Sequence, residues 1–502
     1  MADSRIPQGV RLARLWLLTL VLFGLALALM AVGAWFAWQA QPTHDDVGYV
    51  PVGVAASVPP ASVIFGAGAV VTGCFFGLTA LHAAATIRVL ARDRRIPAPL
   101  PAEMRRMRRI MLTPLGPSAM RLVTAEPDLP PSQLPEPSVA SVAALHLTVL
   151  VPAHNERLTI GATLESLWTQ TRPPDRVVVV ADNCNDNTAD IARHHGAEVF
   201  TTVANTDKKA GGLNQALSEM FSDIDVRDIV MVMDADSVIV PEFLDTAMAR
   251  LEADTDLIAV GGVFYGESGS GLVGQLQRNE YARYGRAIGR RHGKVFVLTG
   301  TASLFRAYAL KAVADSRGSL IPGDTGKVYD TSAMTEDNEL TLALKSLGAK
   351  MVSPMQCRVT TELMPTWRSL WRQRMRWQRG ALENIGAYGL TRATLRYWLQ
   401  QLGIGYGTIA LNAYLLLMLI TLLSASSIEL PVFWISVGSI FLVERVVTVW
   451  SAGWRGRLVA VPLVVEIAYD LVLQAVYVTS LFAIAAGREA GWNYVPREAV
   501  AQ

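Results

Sequence analysis

Carboxylates at short, fixed spacings are the residues of this chain best suited to chemistry. Asp234 and Asp236, separated by Ala235, close an apolar run at 228–233. Two acids so placed can hold a hard divalent cation and the sugar-phosphate it carries, and such a cation offsets the negative charge that develops on a leaving diphosphate. A bare DxD triplet also arises by chance. Glu336 and Asp337, in TED (335–337), open a helical stretch at 340–347. Asp337 is either a general base that removes a proton from an attacking hydroxyl or a capping acid favoured by the helix dipole, and spacing does not choose. Asp182, in ADNCND (181–186), is placed to accept hydrogen bonds from a nucleotide's base or ribose, and Glu156 ends VPAHNE (151–156). Either stretch can equally be an Asx turn capping the next helix. In QRMRW (373–377), Trp377 can stack on a sugar ring while Arg374 or Arg376 meets a diphosphate, or the whole segment can lie at a membrane surface. The sequence shows no Ser-His-Asp or Cys-His signature of covalent catalysis.

The elements that must carry these residues follow from apolar patterning. Short continuous runs at 147–152, 176–181, 197–202 and 228–233 read as strands buried on both faces, and amphipathic stretches such as 159–168 and 187–194 separate them. Strand and helix in alternation predict a doubly wound, mostly parallel α/β sheet, with its ligand beyond the carboxyl ends of the strands. That is where the acidic motifs lie. With 45 Lys and Arg against 43 Asp and Glu the chain is too balanced for a nucleic-acid binder. Its charged fraction, 18%, is below the roughly 25% of soluble domains. Part of it belongs in lipid. Residues 15–40 and 62–87 are each long enough to span a bilayer, and apolar runs return at 402–424, 430–450 and 458–486. Arginines before the first run and after the second put both flanks, and the sheet domain after them, on the cytoplasmic side. Three widely spaced cysteines, Cys74, Cys184 and Cys357, offer neither a disulfide framework nor a zinc site.

Taken together and in order, VPAHNE, ADNCND, KAGGLN (209–214), DAD (234–236), TED and QRMRW resemble the membrane-embedded processive glycosyltransferases of family 2, the synthases of cellulose, chitin, hyaluronan and poly-N-acetylglucosamine. The resemblance covers about residues 146–390. It implies a GT-A fold and inverting transfer from a UDP-sugar, with Mg2+ or Mn2+ as cofactor. By the same resemblance Ala153, Glu156, Asp182, Lys209 and Asp234 bind the donor and Asp236 ligates the metal. Asp337 is then the base, with Glu336 the nearest substitute. Gln373, Arg374, Arg376 and Trp377 serve the diphosphate and the acceptor glycan, and LTGTA (298–302), with Gly300 and Thr301, looks like the family's acceptor-side loop.

The expected layout is a transmembrane hairpin with a basic flank (1–112), a linker (113–145), the GT-A domain (146–365), interfacial helices (366–400), C-terminal spans (401–486) and a tail (487–502). The expected partners are the UDP-sugar, the growing glycan, the plasma-membrane bilayer and an accessory subunit of unknown kind, with no nucleic acid. Five spans would leave the tail outside, whereas the family's tail is cytoplasmic. A re-entrant or interfacial segment within 444–470 would reconcile the two. Asn412, Glu466, Asp470 and Gln474 suggest a polar path for a secreted polymer. The competing readings are a transferase that moves one sugar onto a lipid, which has no need of QRMRW, and a nucleotide-binding transporter or scaffold, which has no need of TED.

Overall fold

The computed structural model describes residues 145–424 and 432–488. The expected N-terminal hairpin, the linker and nearly all of the tail lie outside them. In chain order the elements are β1 (His146–Ala153), α1 (Ile160–Trp168), β2 (Arg176–Ala181), α2 (Thr188–His194), β3 (Glu198–Thr201), α3 (Lys208–Met220), β4 (Asp228–Met233), β5 (Val238–Ile239), α4 (Phe243–Ala253), β6 (Leu257–Gly261), β7 (Val263–Gly266) and α5 (Gly271–Arg290). There follow β8 (Ala302–Arg306), α6 (Ala307–Ser316), α7 (Glu336–Ser346), β9 (Lys350–Val352), β10 (Arg358–Thr361), α8 (Trp367–Tyr388), α9 (Leu395–Ser424), α10 (Val432–Thr448), α11 (Gly453–Ala460) and α12 (Leu463–Ala485).

Seven strands form one sheet in the order β3-β2-β1-β4-β8-β6-β9. The pairs β1/β2, β1/β4, β2/β3 and β6/β9 are parallel, and β8 runs antiparallel to both β4 and β6. The four expected strands stand where the apolar runs put them; β1, β2 and β4 are buried on both faces because helices cover both, whereas β3, at the edge of the sheet, is exposed or half-buried along its length, contrary to the expectation for 197–202. Val149, Val151, Val179, Ile229 and Met231 are fully enclosed in the principal core. Each such side chain contributes on the order of 1.5–3 kcal/mol.

Two topological facts make the cleft. Strand order reverses between β1 and β4, so the loops after these strands diverge and leave a crevice at their carboxyl ends. Because β8 is antiparallel to β4, with Met233 opposite Ala302, the loop that enters β8 is carried to that same edge. A second sheet, β5-β10-β7, adjoins, and it brings the residue after β10, Glu362, toward the residues before β5.

The described residues divide into two units. One comprises residues 145–397 and 441–476, and the other is drawn from Trp398–Ile440 and residues 477–488. Among the described residues one helix, Leu463–Ala485, is long and apolar enough to cross a membrane. The expectation of three C-terminal spans is met only in part. Of the middle run, Val432–Thr448 is helical, and it carries Glu444 and Arg445.

Candidate active site

The loops after β1 and β2 build one wall. The Asp182 side chain, 7% exposed, takes three hydrogen bonds on one oxygen, from Thr202 Oγ1 at 2.9 Å, Asn205 Nδ2 at 2.7 Å and Asn183 Nδ2 at 3.1 Å. Its backbone amide donates to the Ala153 carbonyl at 2.9 Å, and its own carbonyl lies 2.6 Å from His154 Nδ1. Asx-turn duty, one of the two readings open for this loop, falls to Asp186, which accepts from the amide and hydroxyl of Thr188 at the start of α2. Asp182 takes no part in that cap and stays buried, held by Asn183, Thr202 and Asn205. Asn155 and Asn183 both adopt positive φ, at 57° and 49°, a region that asparagine tolerates better than most residues. Glu156 accepts from the Thr159 hydroxyl at 2.9 Å, and its amide donates to Thr188.

KAGGLN lies on the first turns of α3. Asn205, just upstream, donates to Asp182 and to the Lys208 carbonyl, and a Cβ on Gly211 would come within 2.0 Å of the Asn205 side-chain oxygen. Glycine is required there by this close approach. Asn214 exchanges two hydrogen bonds with the backbone of Tyr329, at 2.9 Å each, and pins the 317–334 segment against α3.

Charge is concentrated after β4. Lys209 Nζ lies 2.6 Å from Asp234 and 2.9 Å from Glu336, which joins the donor-side motifs to TED. Burial alone would lower the Lys209 pKa, but these two carboxylates hold it well above its ordinary value. Burial would likewise raise Glu336, and the Lys209 ammonium outweighs it and holds Glu336 below the usual range, with Arg376 adding to the effect. Arg376 therefore faces this cluster. Asp236 is pushed up to about 7, first by burial and then by Asp234, Glu156 and Glu362. An acid crowded by three others is a site that favours a cation, and its oxygen donors are of the hard kind that Mg2+ and Mn2+ take.

Asp337 stands in the first turn of α7. Its carboxylate accepts from the Asn338 amide at 2.7 Å and from the Gly300 amide at 3.2 Å, and burial followed by the neighbouring Glu336 raises it to about 6. The Asp234 amide donates to the Thr301 carbonyl at 3.2 Å, so LTGTA bridges β4 and α7. Lys209, Gly300, Tyr329, Glu336 and Asp337 line one cleft.

QRMRW lies in α8, whose start is set by a reciprocal capping box between Thr366 and Ser369. Arg374 is buried. It donates to Gln373 Oε1 at 2.7 Å and to Glu280 at 2.8 Å, and its guanidinium covers one face of the Trp377 ring at 4.2 Å. The helix packs against TED at Gly380, where a Cβ would lie 2.5 Å from Thr335 Oγ1, and at Asn384, which donates to Thr335 and Asn338. Deeper in, Glu339 receives a two-pronged pair from the fully buried Arg317 at 2.8 and 2.7 Å and a hydrogen bond from Tyr388 at 2.6 Å.

Motif reading missed Asn205, Glu280, Arg317, Tyr329 and Asn384. Each lies outside the motifs, the first four between them and Asn384 two turns beyond QRMRW, and its partners are shown only by the fold. Glu466 and Asp470, expected to line a polar path, are committed to arginines: Glu466 to Arg283 at 2.5 Å and Asp470 to Arg445 at 3.1 Å.

Residues 144–380 match the family described as Glycosyltransferase like family 2. A poly-beta-1,6-N-acetyl-D-glucosamine synthase of Staphylococcus aureus is 25% identical over 243 residues, which cover 47% of this chain and 55% of that protein. The Bacillus subtilis protein named probable glycosyltransferase YdaM is 29% identical over 248 residues, 47% of this chain and 54% of its own. The chain thus spans about half the length of the curated relatives it matches. Among solved structures, a mannosyltransferase from Pyrobaculum calidifontis in complex with GDP-Man and Mn2+ aligns with 76% of this chain and 100% of its own, at 17% identity and a TM-score of 0.45. The mostly parallel mixed sheet is GT-A-like, as the resemblance implies. In residues 144–380 this chain carries a family 2 glycosyltransferase domain.

Proposed function

We propose that the chain polymerises a β-linked polysaccharide by inverting transfer from a UDP-sugar of the glucose or N-acetylglucosamine type, and passes the product across the plasma membrane from the cytoplasmic face. One observation carries this reading. The Lys209 ammonium, in the cleft that Glu336 and Asp337 line, pairs with both Asp234 and Glu336, so one cation joins a donor-side acid to the neighbour of the candidate base. The match to a poly-N-acetylglucosamine synthase supports the sugar class.

In this reading Asp182 and the backbone at Ala153 meet the uridine, and Glu156 and Lys209 border the donor. Asp234 meets the ribose or donor sugar. Asp236 would hold Mg2+ or Mn2+, which when bound supplies charge stabilisation to the departing diphosphate. Among the described residues no three metal-ligating side chains converge on a point.

Asp337 takes the proton of the attacking hydroxyl. Its support is its setting: two backbone amides fix the carboxylate, and a pKa near 6 makes it a better proton acceptor than an exposed aspartate while leaving it ionised at neutral pH. Gly300 and Thr301 flank the incoming sugar. Arg376 meets the diphosphate, and Gln373 and Trp377, held by Arg374, receive the end of the glycan. The α12 helix anchors the chain in lipid, and α11, with exposed Trp454 on it and exposed Trp450 just before it, lies at the headgroup level.

The test is a donor screen on the full-length chain in lipid nanodiscs with Mn2+, using UDP-N-acetylglucosamine, UDP-glucose and UDP-glucuronate singly and in pairs, with UDP release and product length followed. Long product from one donor is expected. A single-sugar lipid product would replace the reading with a lipid-linked transferase.

A further inference from the structure

The motif residues that would receive the glycan are held by Arg374, within QRMRW itself, and behind it by side chains outside every motif. Arg374 donates to Gln373 and covers Trp377, and its charge is met by Glu280 on α5. The oxygen of Glu280 that takes the Arg374 bond also accepts from the Tyr469 hydroxyl at 2.5 Å. Tyr469 lies on α12, the apolar helix, and is 2% exposed.

A second rung joins the same two helices. Glu466, one turn before Tyr469, pairs with Arg283, one turn after Glu280, and takes a hydrogen bond from Asn279 at 3.2 Å. Arg445 of α10 lies 3.7 Å from Glu466 and 3.1 Å from Asp470. Residues 279, 280 and 283 share one face of α5, as 466, 469 and 470 share one face of α12. Val273, Leu276, Leu370 and Tyr469 close a small apolar core between them, with Leu370 contributed by the first turn of α8. Three helices distant in sequence thus meet at one carboxylate.

We infer that Glu280 and Tyr469 are positioning residues for glycan transfer: through Arg374 they set Gln373 and Trp377, and so they place the acceptor platform in register with the membrane helix. The inference deepens the proposed function and rests on it for its kinetic consequence. It also gives Glu466 and Asp470 work other than lining a path: they fasten the helix on which Tyr469 stands. Neither Glu280 nor Tyr469 touches the donor side, so donor binding is expected to survive their loss.

The experiment uses the full-length chain in nanodiscs and the variants Glu280→Gln, Glu280→Asp and Tyr469→Phe. With UDP-N-acetylglucosamine and Mn2+, kcat for transfer should fall about tenfold in Glu280→Gln, as expected when a supporting contact lets a reacting partner drift. It should fall less in Tyr469→Phe and recover in part in Glu280→Asp, while the affinity for UDP with Mn2+ stays within about twofold. Amide hydrogen exchange across 373–377 should quicken in Glu280→Gln and Tyr469→Phe, because the platform has lost its tie. Unchanged exchange in both would overturn the inference. So would a parallel loss of UDP affinity, melting temperature and kcat, which marks a merely structural contact. If the unaltered chain makes no product, the functional reading fails, and the exchange measurement still decides this one.

Discussion

Asp182 and Asp337 are both fixed by hydrogen bonds, and they are held in different ways. Asp182 is gripped from nearby in the chain, by Asn183, Thr202 and Asn205, all within 23 residues. Asp337 takes one bond from its neighbour and one from Gly300, and its helix is fixed by Arg317, Asn384 and Tyr388, the last two some 46 to 49 residues from their partners. Beyond it, Arg374 reaches Glu280 across 94 residues and Tyr469 reaches the same acid across 189. The wall proposed to take the nucleotide is thus built from turns after neighbouring strands, and the wall proposed for transfer from helices that must first find one another. The lesson is that the first wall can be assembled locally, whereas the second exists only in the finished fold.

If that contrast is right, the two walls should break differently. The largest effect is expected at Arg317→Ala, which leaves Glu339 buried without its cation and should cost about 3–5 kcal/mol. The exposed pair Arg176–Glu198 at the far edge of the sheet should cost about 0–1 kcal/mol when cut by Arg176→Ala. Denaturant midpoints of the two variants check this, and equal losses would erase the distinction.

Next comes Gly380→Ala. The new methyl would press on Thr335, and overpacking of this kind costs about 1–3 kcal/mol. Because the push lands on TED, kcat should drop while UDP affinity holds, and steady-state kinetics beside calorimetry will show whether the two separate.

A smaller effect concerns acidity. Asp337 must be ionised to accept a proton, and its pKa is raised to about 6 by burial and by Glu336. Turnover at saturating donor and Mn2+ should therefore be half-maximal near pH 6, nearly full about one unit above it, and decline toward tenfold per unit well below it. An ordinary aspartate would hold the rate to near pH 4. A flat profile between 6 and 4.5 would take the base role from Asp337.

The smallest is Asn183→Ala, expected to cost about 1 kcal/mol because alanine resists the positive φ there. It should also loosen Asp182 and weaken UDP binding slightly, with kcat unmoved.

The same contrast explains how much could be read beforehand. The strands, the sheet class and the acids at their carboxyl ends were legible because continuous β-branched runs admit few other placements and because site residues follow strands directly. Asp234 beside Lys209 was legible only as two motifs, 25 residues apart, whose meeting requires the parallel sheet. Tyr329, Glu280 and Arg317 were illegible, since a tyrosine, a glutamate or an arginine between motifs looks the same whether it is buried in a network or in solvent. The polar-path expectation for Glu466 and Asp470 rested on the cost of charge in lipid. That cost is met here by arginines from the catalytic unit, a solution that only long-range contacts reveal.

The most direct measurement is UDP affinity, in the presence of Mn2+, for the full-length Asp182→Asn and Asp337→Asn variants side by side. The account predicts that Asp182→Asn weakens binding about tenfold, the worth of one charge-assisted hydrogen bond. Asp337→Asn should stay within about twofold of the unaltered chain while it loses transfer about a thousandfold. If Asp337→Asn weakened UDP binding as much as Asp182→Asn, or still transferred sugar at an undiminished rate, the division of the cleft into a nucleotide wall and a transfer wall would be wrong.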